Sequence, residues 1–151
     1  MAFIRRTIIA TASALALSAT AVLAQTTPPA APAAPAAAAP AEGGDAAAGE
    51  RIFAQCRACH QVGPTARVGV GPPLNGLFGR KAGSFPNFNY SPAYRSLDKT
   101  WDEANFRVYI RNPREVTPGT RMVFNGLRDE TQITNLIAYL KQFNAEGQRT
   151  P

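Results

Sequence analysis

Apolar residues recur at helical spacing in three segments of the chain. The first is residues 44–62, with Asp45 as a candidate N-cap. The second begins at the capping-box sequence Thr-Trp-Asp-Glu of residues 100–103 and should end near Asn112, because the next residue is a proline. The third starts near Asp129. We assign to the core the apolar residues of the last two segments: Phe106, Tyr109, Ile110, Ile133, Leu136, Ile137, Leu140 and Phe143.

A long segment between the first two helical patterns lacks any periodicity. Residues 63–83 are rich in glycine and proline, with Gly-Val-Gly-Pro-Pro at residues 69–73 and Gly-Leu-Phe-Gly at residues 76–79. This composition predicts a loop. An irregular loop of this length is uncommon in a small domain unless it surrounds a functional group. We therefore expect residues 63–83 to wrap a bound cofactor.

The beginning of the chain is typical of export. Arg5 and Arg6 precede an apolar stretch at residues 7–22, and the segment ends at Val22-Leu23-Ala24, which suits cleavage by signal peptidase after Ala24. We predict a signal peptide at residues 1–24 that directs the protein to the periplasm, then a disordered Ala/Pro-rich linker at residues 25–42. The folded domain should span residues 43–146, with a disordered tail at residues 147–151. If the signal is not cleaved, it would instead tether the domain to the membrane.

The charge of the chain is mildly basic. The net charge is +6, and removing the two signal arginines leaves 14 basic against 10 acidic residues, or +4. The basic residues form no dense run, which argues against nucleic-acid binding in an exported protein. A docking face for acidic protein partners fits better, and we expect no stable oligomer.

The two cysteines and the one histidine lie within a single pentapeptide, Cys56-Arg57-Ala58-Cys59-His60. C-x-x-C-H is the attachment pattern of c-type haem, in which two thiols three residues apart form thioether bonds and the histidine binds iron. Three alternatives remain open on the motif alone: a structural disulfide, a thiol–disulfide redox centre and a zinc site. The disulfide would close a very short loop, no strand alternation supports a redox fold, and zinc would need more Cys or His ligands.

A second iron ligand is suggested by Met122. It is the only methionine besides Met1, and it follows Pro118-Gly119-Thr120-Arg121 in a turn-rich loop between two helical patterns. Loops commonly position functional groups, whereas a helical methionine usually fills the core. A thioether is a soft donor for low-spin haem iron, and His/Met ligation raises the reduction potential.

Together these motifs resemble class I cytochrome c, of the bacterial cytochrome c2 and mitochondrial type. The resemblance covers residues 44–143 and implies an all-α cytochrome c fold, with three main helices and loops wrapped around one covalently bound haem c. It rests on Cys56-Arg57-Ala58-Cys59-His60, on the loop Gly71-Pro72-Pro73-Leu74-Asn75-Gly76-Leu77-Phe78-Gly79-Arg80, on Tyr90-Ser91-Pro92-Ala93, on Trp101, on Asn112-Pro113, on Pro118-Gly119-Thr120-Arg121-Met122 and on Phe124.

The resemblance also implies roles for individual residues. The Pro72 carbonyl would accept a hydrogen bond from His60, and Gly49 would let the first helix pack against Tyr139 of the last. Tyr109 and Thr120 would lie near the methionine side. The haem propionates would be bound by Arg80, Tyr90 and Trp101.

The chain departs from the family at Tyr94, around the haem edge, and in the first helix, which is one residue shorter just before Cys56. Tyr94 stands where the family usually has an asparagine beneath the haem, so the buried water network expected there is in doubt. The family's ring of lysines around the haem edge is thinner and mostly arginine. These arginines are Arg57, Arg67, Arg114, Arg121 and Arg128.

These observations predict a soluble monohaem carrier that shuttles single electrons between larger redox complexes, or between periplasmic dehydrogenases and oxidases, at its basic haem edge. With His60 and Met122 both bound to iron, no open site remains for enzymatic chemistry. Two other functions stay open: a peroxidase-like haem enzyme if Met122 is labile, and a thiol oxidoreductase without haem. The sequence does not name the electron donor or acceptor.

Overall fold

The computed structural model describes residues 43–150. The predicted signal peptide and linker, residues 1–42, lie outside the described residues, as does Pro151. The described chain contains the helices α1 (Ala46–Phe53), α2 (Pro92–Arg95), α3 (Glu103–Arg111), α4 (Pro113–Val116) and α5 (Glu130–Lys141). Loops join them, and the described residues pair in β fashion only at two isolated bridges, Lys81 with Thr100 and Phe143 with Arg149.

Helix α1 begins as predicted but ends much earlier. The Asp45 side chain accepts hydrogen bonds from the N–H groups of Ala47 and Ala48, at 2.8 and 3.1 Å. The prediction of a helix up to residue 62 is wrong, because after Phe53 the chain turns more tightly. The N–H groups of residues 54, 55 and 56 bond to carbonyls three residues back rather than four. The C-x-x-C-H motif therefore lies in the turns that follow α1.

Helix α3 starts two residues later than the capping-box pattern indicates. Its N-cap is Asp102, whose side chain accepts the Asn105 N–H at 2.6 Å, while Thr100 lies in the bridge to Lys81. Because aspartate caps a helix at least as well as threonine, Asp102 rather than Thr100 can serve as the N-cap. The end of α3 at Arg111 agrees with the prediction, and Asn112 then caps α4.

Two short helices were not predicted. Helices α2 and α4 each have four residues and a proline in the first turn. Ser91 caps α2 by accepting the Tyr94 N–H, and Asn112 caps α4 by accepting the Glu115 N–H. One turn of helix is too short to leave a periodic apolar pattern, so only the capping residues could have indicated these helices.

Helix α5 starts as predicted, with the Asp129 side chain accepting the Gln132 N–H at 2.8 Å. It ends at Lys141, so Phe143 lies just beyond it but is still buried. The core stripe assigned from the sequence is confirmed, since each of its residues is buried: Phe106, Tyr109, Ile110, Ile133, Leu136, Ile137, Leu140 and Phe143. Helices α1 and α5 form the main helix pair of the described chain.

Gly49 is the contact point of that pair. A Cβ atom on Gly49 would overlap the Asn135 carbonyl group of α5 and would lie 2.7 Å from the Tyr139 Cβ. The absence of a side chain is therefore what lets α1 approach the backbone of α5. Close packing between Gly49 and Tyr139, expected from the family resemblance, is present in the structure.

The end of the chain differs from the predicted disordered tail at residues 147–151. The Thr150 N–H donates to the Gln142 carbonyl at 2.8 Å, and Arg149 pairs with Phe143 in an isolated bridge. Gly147 has a positive φ of 78° and packs its backbone against Gly63. Residues 147–150 thus fold back over the end of α5, a return that depends on contacts distant in sequence.

No helix within residues 43–150 combines the length and the hydropathy needed to cross a membrane.

Candidate haem site

The two cysteines lie in the turns after α1, with Cys56 partly buried and Cys59 exposed. The Cys59 and His60 N–H groups both bond to the Cys56 carbonyl, at 3.0 and 2.8 Å, which holds the motif in one tight turn. Both thiols are free, so the disulfide alternative is not realised. Across residues 43–150, no three side chains of His, Cys, Asp or Glu converge where they could hold a metal ion, which leaves zinc without a ligand set.

The environment of the Cys56 thiol does not favour its reactive thiolate form. Burial, and secondly the neighbouring Cys59, raise the pKa of Cys56 to about 11. Nucleophilic and redox-active cysteines usually have a lowered pKa and a cationic neighbour. The environment of Cys56 therefore argues against thiol–disulfide exchange as the activity of the motif.

The His60 ring is held in one orientation from two sides. Its Nδ1 lies 2.7 Å from the Pro72 carbonyl oxygen, and because a carbonyl can only accept, Nδ1 carries the proton. A Cβ on Gly71 would lie less than 3.0 Å from three atoms of the imidazole, so the ring packs directly on the glycine backbone. Burial lowers the pKa of His60, and the neutral imidazole keeps Nε2 free to bind a metal.

Met122 lies in the loop between α4 and α5, and its sulfur is hydrogen-bonded. The Tyr109 hydroxyl donates to Met122 Sδ at 3.2 Å, and the Met122 N–H donates to Thr120 Oγ1 at the same distance. Tyr109 comes from α3, where it is buried on the inner face. Tyr109 and Thr120 are thus found beside Met122, the position that the resemblance implied for both.

A single cavity of about 500 Å³ brings these groups together. Its volume falls within the range of about 300–1,000 Å³ typical of cofactor and ligand sites. Its walls include apolar side chains of α1, α3 and α5, such as Phe53, Phe106 and Leu136. Every site residue predicted from the sequence lines this cavity: Cys56, Cys59, His60, Pro72, Arg80, Tyr90, Trp101, Tyr109, Thr120 and Met122. Their roles toward a haem stay predictions.

Arg80 places a positive charge in the wall of this cavity. Its guanidinium donates to the carbonyls of Asn75 and Pro73, at 2.8 and 3.1 Å, and lies 5.0 Å from the centre of the Phe85 ring. Burial lowers the pKa of Arg80, and none of the ion pairs found within residues 43–150 includes it. A half-buried cation without a carboxylate partner favours a ligand that carries its own negative charge.

The residues present fit a covalently bound haem. Two thiols, a neutral imidazole and a thioether line one apolar cavity, which also contains an uncompensated guanidinium. A haem has matching groups for each: two vinyl groups, an iron that accepts nitrogen and sulfur donors, an apolar ring and two carboxylates. A cavity lined by only one of these donor types would fit many ligands equally well, and the combination is much more selective.

The family model for cytochrome c matches residues 46–144. The chain belongs to the cytochrome c family. It is 52% identical over 110 residues to cytochrome c2 from Blastochloris viridis, covering 73% of this chain and 87% of that protein. It is 51% identical over 106 residues to cytochrome c-554 from Methylosinus trichosporium, covering 70% and 80%. In structure it is similar to cytochrome cH from Methylobacterium extorquens, with a TM-score of 0.62 and 43% identity over 66% of this chain and 99% of that one.

Family membership confirms three predictions made from the sequence. The chain is a class I cytochrome c, it has the all-α cytochrome c fold, and it is an electron-transfer protein rather than an enzyme. The cofactor of the family is covalently bound haem c, which agrees with the pair of cysteines in the C-x-x-C-H motif.

Sequence reasoning overlooked two features of the cavity. Tyr94 was noted only as a departure from asparagine, yet its ring lies in the cavity wall among three other aromatic side chains. Gly71 was noted only as part of a loop motif, whereas its backbone supports the His60 ring. The role of Gly71 could have been inferred from its position next to Pro72, whose carbonyl was expected to bond to His60. The role of Tyr94 could not, because its contacts come from three separate segments of the chain.

Proposed function

We propose that this cytochrome holds one haem c through thioether bonds to Cys56 and Cys59, with His60 and Met122 as axial ligands, and carries single electrons between larger redox proteins. When bound, the haem iron supplies a centre that takes up and gives back one electron. The observation that carries the proposal is the convergence of these four side chains on one cavity. His60 and Met122 are distant in sequence yet line the same cavity. A cavity without function would not require these two donors to meet.

The chain's own residues prepare both ligands before any electron moves. The Pro72 carbonyl holds the His60 ring in the tautomer that leaves Nε2 available. The Tyr109 hydroxyl engages the Met122 sulfur, and Thr120 holds the backbone of the same residue. Ligands that are already oriented need little rearrangement when the charge of the site changes, which favours rapid electron transfer over ligand exchange.

Arg80, Tyr90 and Trp101 are proposed to bind the haem propionates. Arg80 is half-buried and has no carboxylate partner among the described residues. The Tyr90 hydroxyl accepts the Phe85 N–H at 3.3 Å, so its own proton is available to a further acceptor. Trp101 is buried, and its indole N–H can only donate. Three donors in one cavity wall would satisfy two carboxylates that would otherwise be costly to bury.

The peroxidase-like alternative requires Met122 to leave the iron. Against this, the sulfur and the backbone N–H of Met122 both have hydrogen-bond partners in the structure. A ligand restrained at two points dissociates less readily than one on a free loop, which favours a carrier with no open iron position.

Intact mass of the purified protein tests both the attachment and the export signal. We expect the mass of residues 25–151 plus one haem, and we expect the haem to be lost on denaturation when Cys56 and Cys59 are both replaced by serine. Ala58→Ser, between the two cysteines, is the matched control and should keep the covalent haem. A colourless wild-type protein would contradict the proposed cofactor, and a mass that still includes residues 1–24 would show that the chain is not cleaved.

The proposed docking surface surrounds the mouth of the cavity. Val70 and Val123 are 78% and 81% exposed there, and the basic residues Lys81 and Arg121 also line the cavity. An apolar centre with a basic border suits a brief encounter with an acidic partner, because charge accelerates the approach while a small contact area allows rapid release. We propose periplasmic redox proteins as these partners.

The salt dependence of electron transfer tests this surface. Reduction and oxidation of the protein by a small anionic iron complex should slow as ionic strength rises, whereas reaction with a cationic cobalt complex should accelerate, because salt screens attraction and repulsion alike. Arg121→Gln should weaken the first dependence, while Arg149→Gln should leave it nearly unchanged, because Arg149 does not line the cavity and is paired with Glu50. Equal salt dependence for both reagents would contradict a basic docking face.

A further inference from the structure

The Asn75 side chain joins two distant parts of the loop that follows the C-x-x-C-H motif. Its Oδ1 accepts the Gly63 N–H at 2.8 Å, and its Nδ2 donates to the Gly63 carbonyl at 2.9 Å. One amide therefore satisfies both backbone groups of a residue 12 positions away. Asn75 is only 8% exposed and Gly63 is buried, so water could not easily replace these bonds.

The end of the chain covers this pair of hydrogen bonds. Gly147 has a positive φ of 78°, and a Cβ atom there would overlap the Gly63 carbonyl group and lie 2.5 Å from Asn75 Nδ2. Beside it, the Gly76 N–H donates to the Phe143 carbonyl at 3.1 Å. The returning end of the chain thus shields the Asn75 side chain from solvent and holds it against Gly63.

The segment that Asn75 anchors supplies both backbone acceptors of the Arg80 guanidinium. Arg80 Nη1 donates to the Asn75 carbonyl at 2.8 Å, and Nη2 donates to the Pro73 carbonyl at 3.1 Å. Leu74 lies between these two carbonyls, and its N–H donates to the Gln61 carbonyl at 2.9 Å. Because the guanidinium is planar and its donors are fixed, two acceptors on one short segment determine its orientation.

We propose that Asn75 is a positioning residue that acts through Arg80, by holding in place the two carbonyls to which the guanidinium donates. The inference rests on the proposed function, because it requires Arg80 to bind the haem propionates. Without the Asn75 side chain, Gly63 would lose two hydrogen bonds, and the segment would be held mainly by the bond of Leu74. The guanidinium would then be free to move out of the cavity wall toward solvent.

The reduction potential should respond to such a movement. A guanidinium close to the propionates offsets their negative charge, and this interaction weakens with distance and with exposure to water. Uncompensated negative charge stabilises the ferric state, which carries one more positive charge than the ferrous state. Loss of the Asn75 side chain should therefore lower the potential in the same direction as loss of the Arg80 charge, but by a smaller amount.

Asn75→Ala tests the proposal, and Asn135→Ala is its matched control. Asn135 is also 8% exposed and its Oδ1 also accepts a backbone N–H, that of Asp45 at 2.8 Å, but it does not line the cavity. Both variants should lower the free energy of unfolding. Only Asn75→Ala should lower the reduction potential and speed the exchange of the Arg80 guanidinium protons with solvent several-fold. If Asn75→Ala matches the control in both quantities, the proposal is wrong.

A double variant separates an action through Arg80 from any other route. Once Arg80 is replaced by glutamine, the further change Asn75→Ala should leave the potential unchanged, because the charge that Asn75 positions is gone. A further fall as large as that of the single variant would mean that Asn75 acts by another path, and would overturn the positioning role. Failure of the underlying assignment looks different, because Arg80→Gln would then leave the potential unchanged by itself.

Hydrogen exchange in the unmodified holoprotein tests the same link without depending on the folding of a variant. The Gly63 amide proton and the Arg80 guanidinium protons should exchange through one shared opening, so their protection should fall in parallel as denaturant is added. Arg80 protons that exchange freely while the Gly63 amide stays protected would show that the guanidinium moves independently of the Asn75 bonds, contrary to the proposal.

Discussion

Met122→Ala is expected to lower the reduction potential of the holoprotein and to open one iron position to small ligands. The thioether stabilises the reduced state relative to other axial ligands, and alanine supplies no donor in its place. Axial ligands set haem potentials over a range of about 0.8 V, so we expect a fall on the order of 0.1 V or more. Voltammetry measures the potential, and titration with carbon monoxide or cyanide measures the opening.

Met122→His provides the control that separates loss of sulfur from loss of a ligand. Histidine can restore a bond to iron but not the soft thioether, so the potential should still fall while carbon monoxide binding stays weak. Wild-type protein that already binds carbon monoxide tightly, with a spectrum unchanged by Met122→Ala, would contradict methionine ligation. That result would favour the peroxidase-like haem enzyme with an open iron.

Gly49→Ala is expected to destabilise the fold by about 2–3 kcal/mol, the upper part of the usual range for overpacking. The added Cβ would overlap the Asn135 carbonyl group and press on Tyr139, and backbone atoms of a helix cannot move aside as a flexible side chain can. Alanine favours helices over glycine by about 1 kcal/mol, so the packing cost must exceed that gain. Chemical denaturation of the holoprotein, followed by circular dichroism, measures the change.

Gly43→Ala is the matched control for this substitution. It introduces the same methyl group three residues before α1, where no atom lies within 4 Å of the added Cβ. The free energy of unfolding should change by less than about 0.5 kcal/mol, as for other surface substitutions. Equal stability of the Gly49→Ala and wild-type proteins would mean that α1 and α5 can separate without cost, contrary to the packing described above.

The haem site and the hydrophobic core of this protein are built from the same residues. Leu77, Trp101, Phe106 and Leu140 belong to the buried core cluster and also line the cavity. A domain of this size has a limited core of its own, so an apolar cofactor in the cavity would contribute directly to stability. Variants that weaken cofactor binding should therefore also lower the stability of the fold, even where they lie far from the α1–α5 contact.

Several features of the fold could be predicted because they depend on neighbouring residues. Asp45 was correctly predicted as an N-cap and the start of α5 was correctly placed near Asp129, since a cap needs only the helix that follows it. The end of α3 before Pro113 follows from the restriction that proline places on the residue before it. The end of α1 could not be predicted in this way. The sequence pattern stays helical up to residue 62, but the chain forms tight turns after Phe53, where the C-x-x-C-H motif lies.

The chemical groups available to the site follow directly from the residues of the chain. It contains one C-x-x-C-H motif, a single histidine and one methionine beyond Met1, so few cofactors could use them. How these groups meet depends on the packing of the folded chain. It brings Met122 to the same cavity as His60, places Tyr94 against Tyr109 and folds residues 147–150 back over α5. Motifs and caps involve neighbouring residues, whereas contacts between distant loops depend on how the whole domain packs.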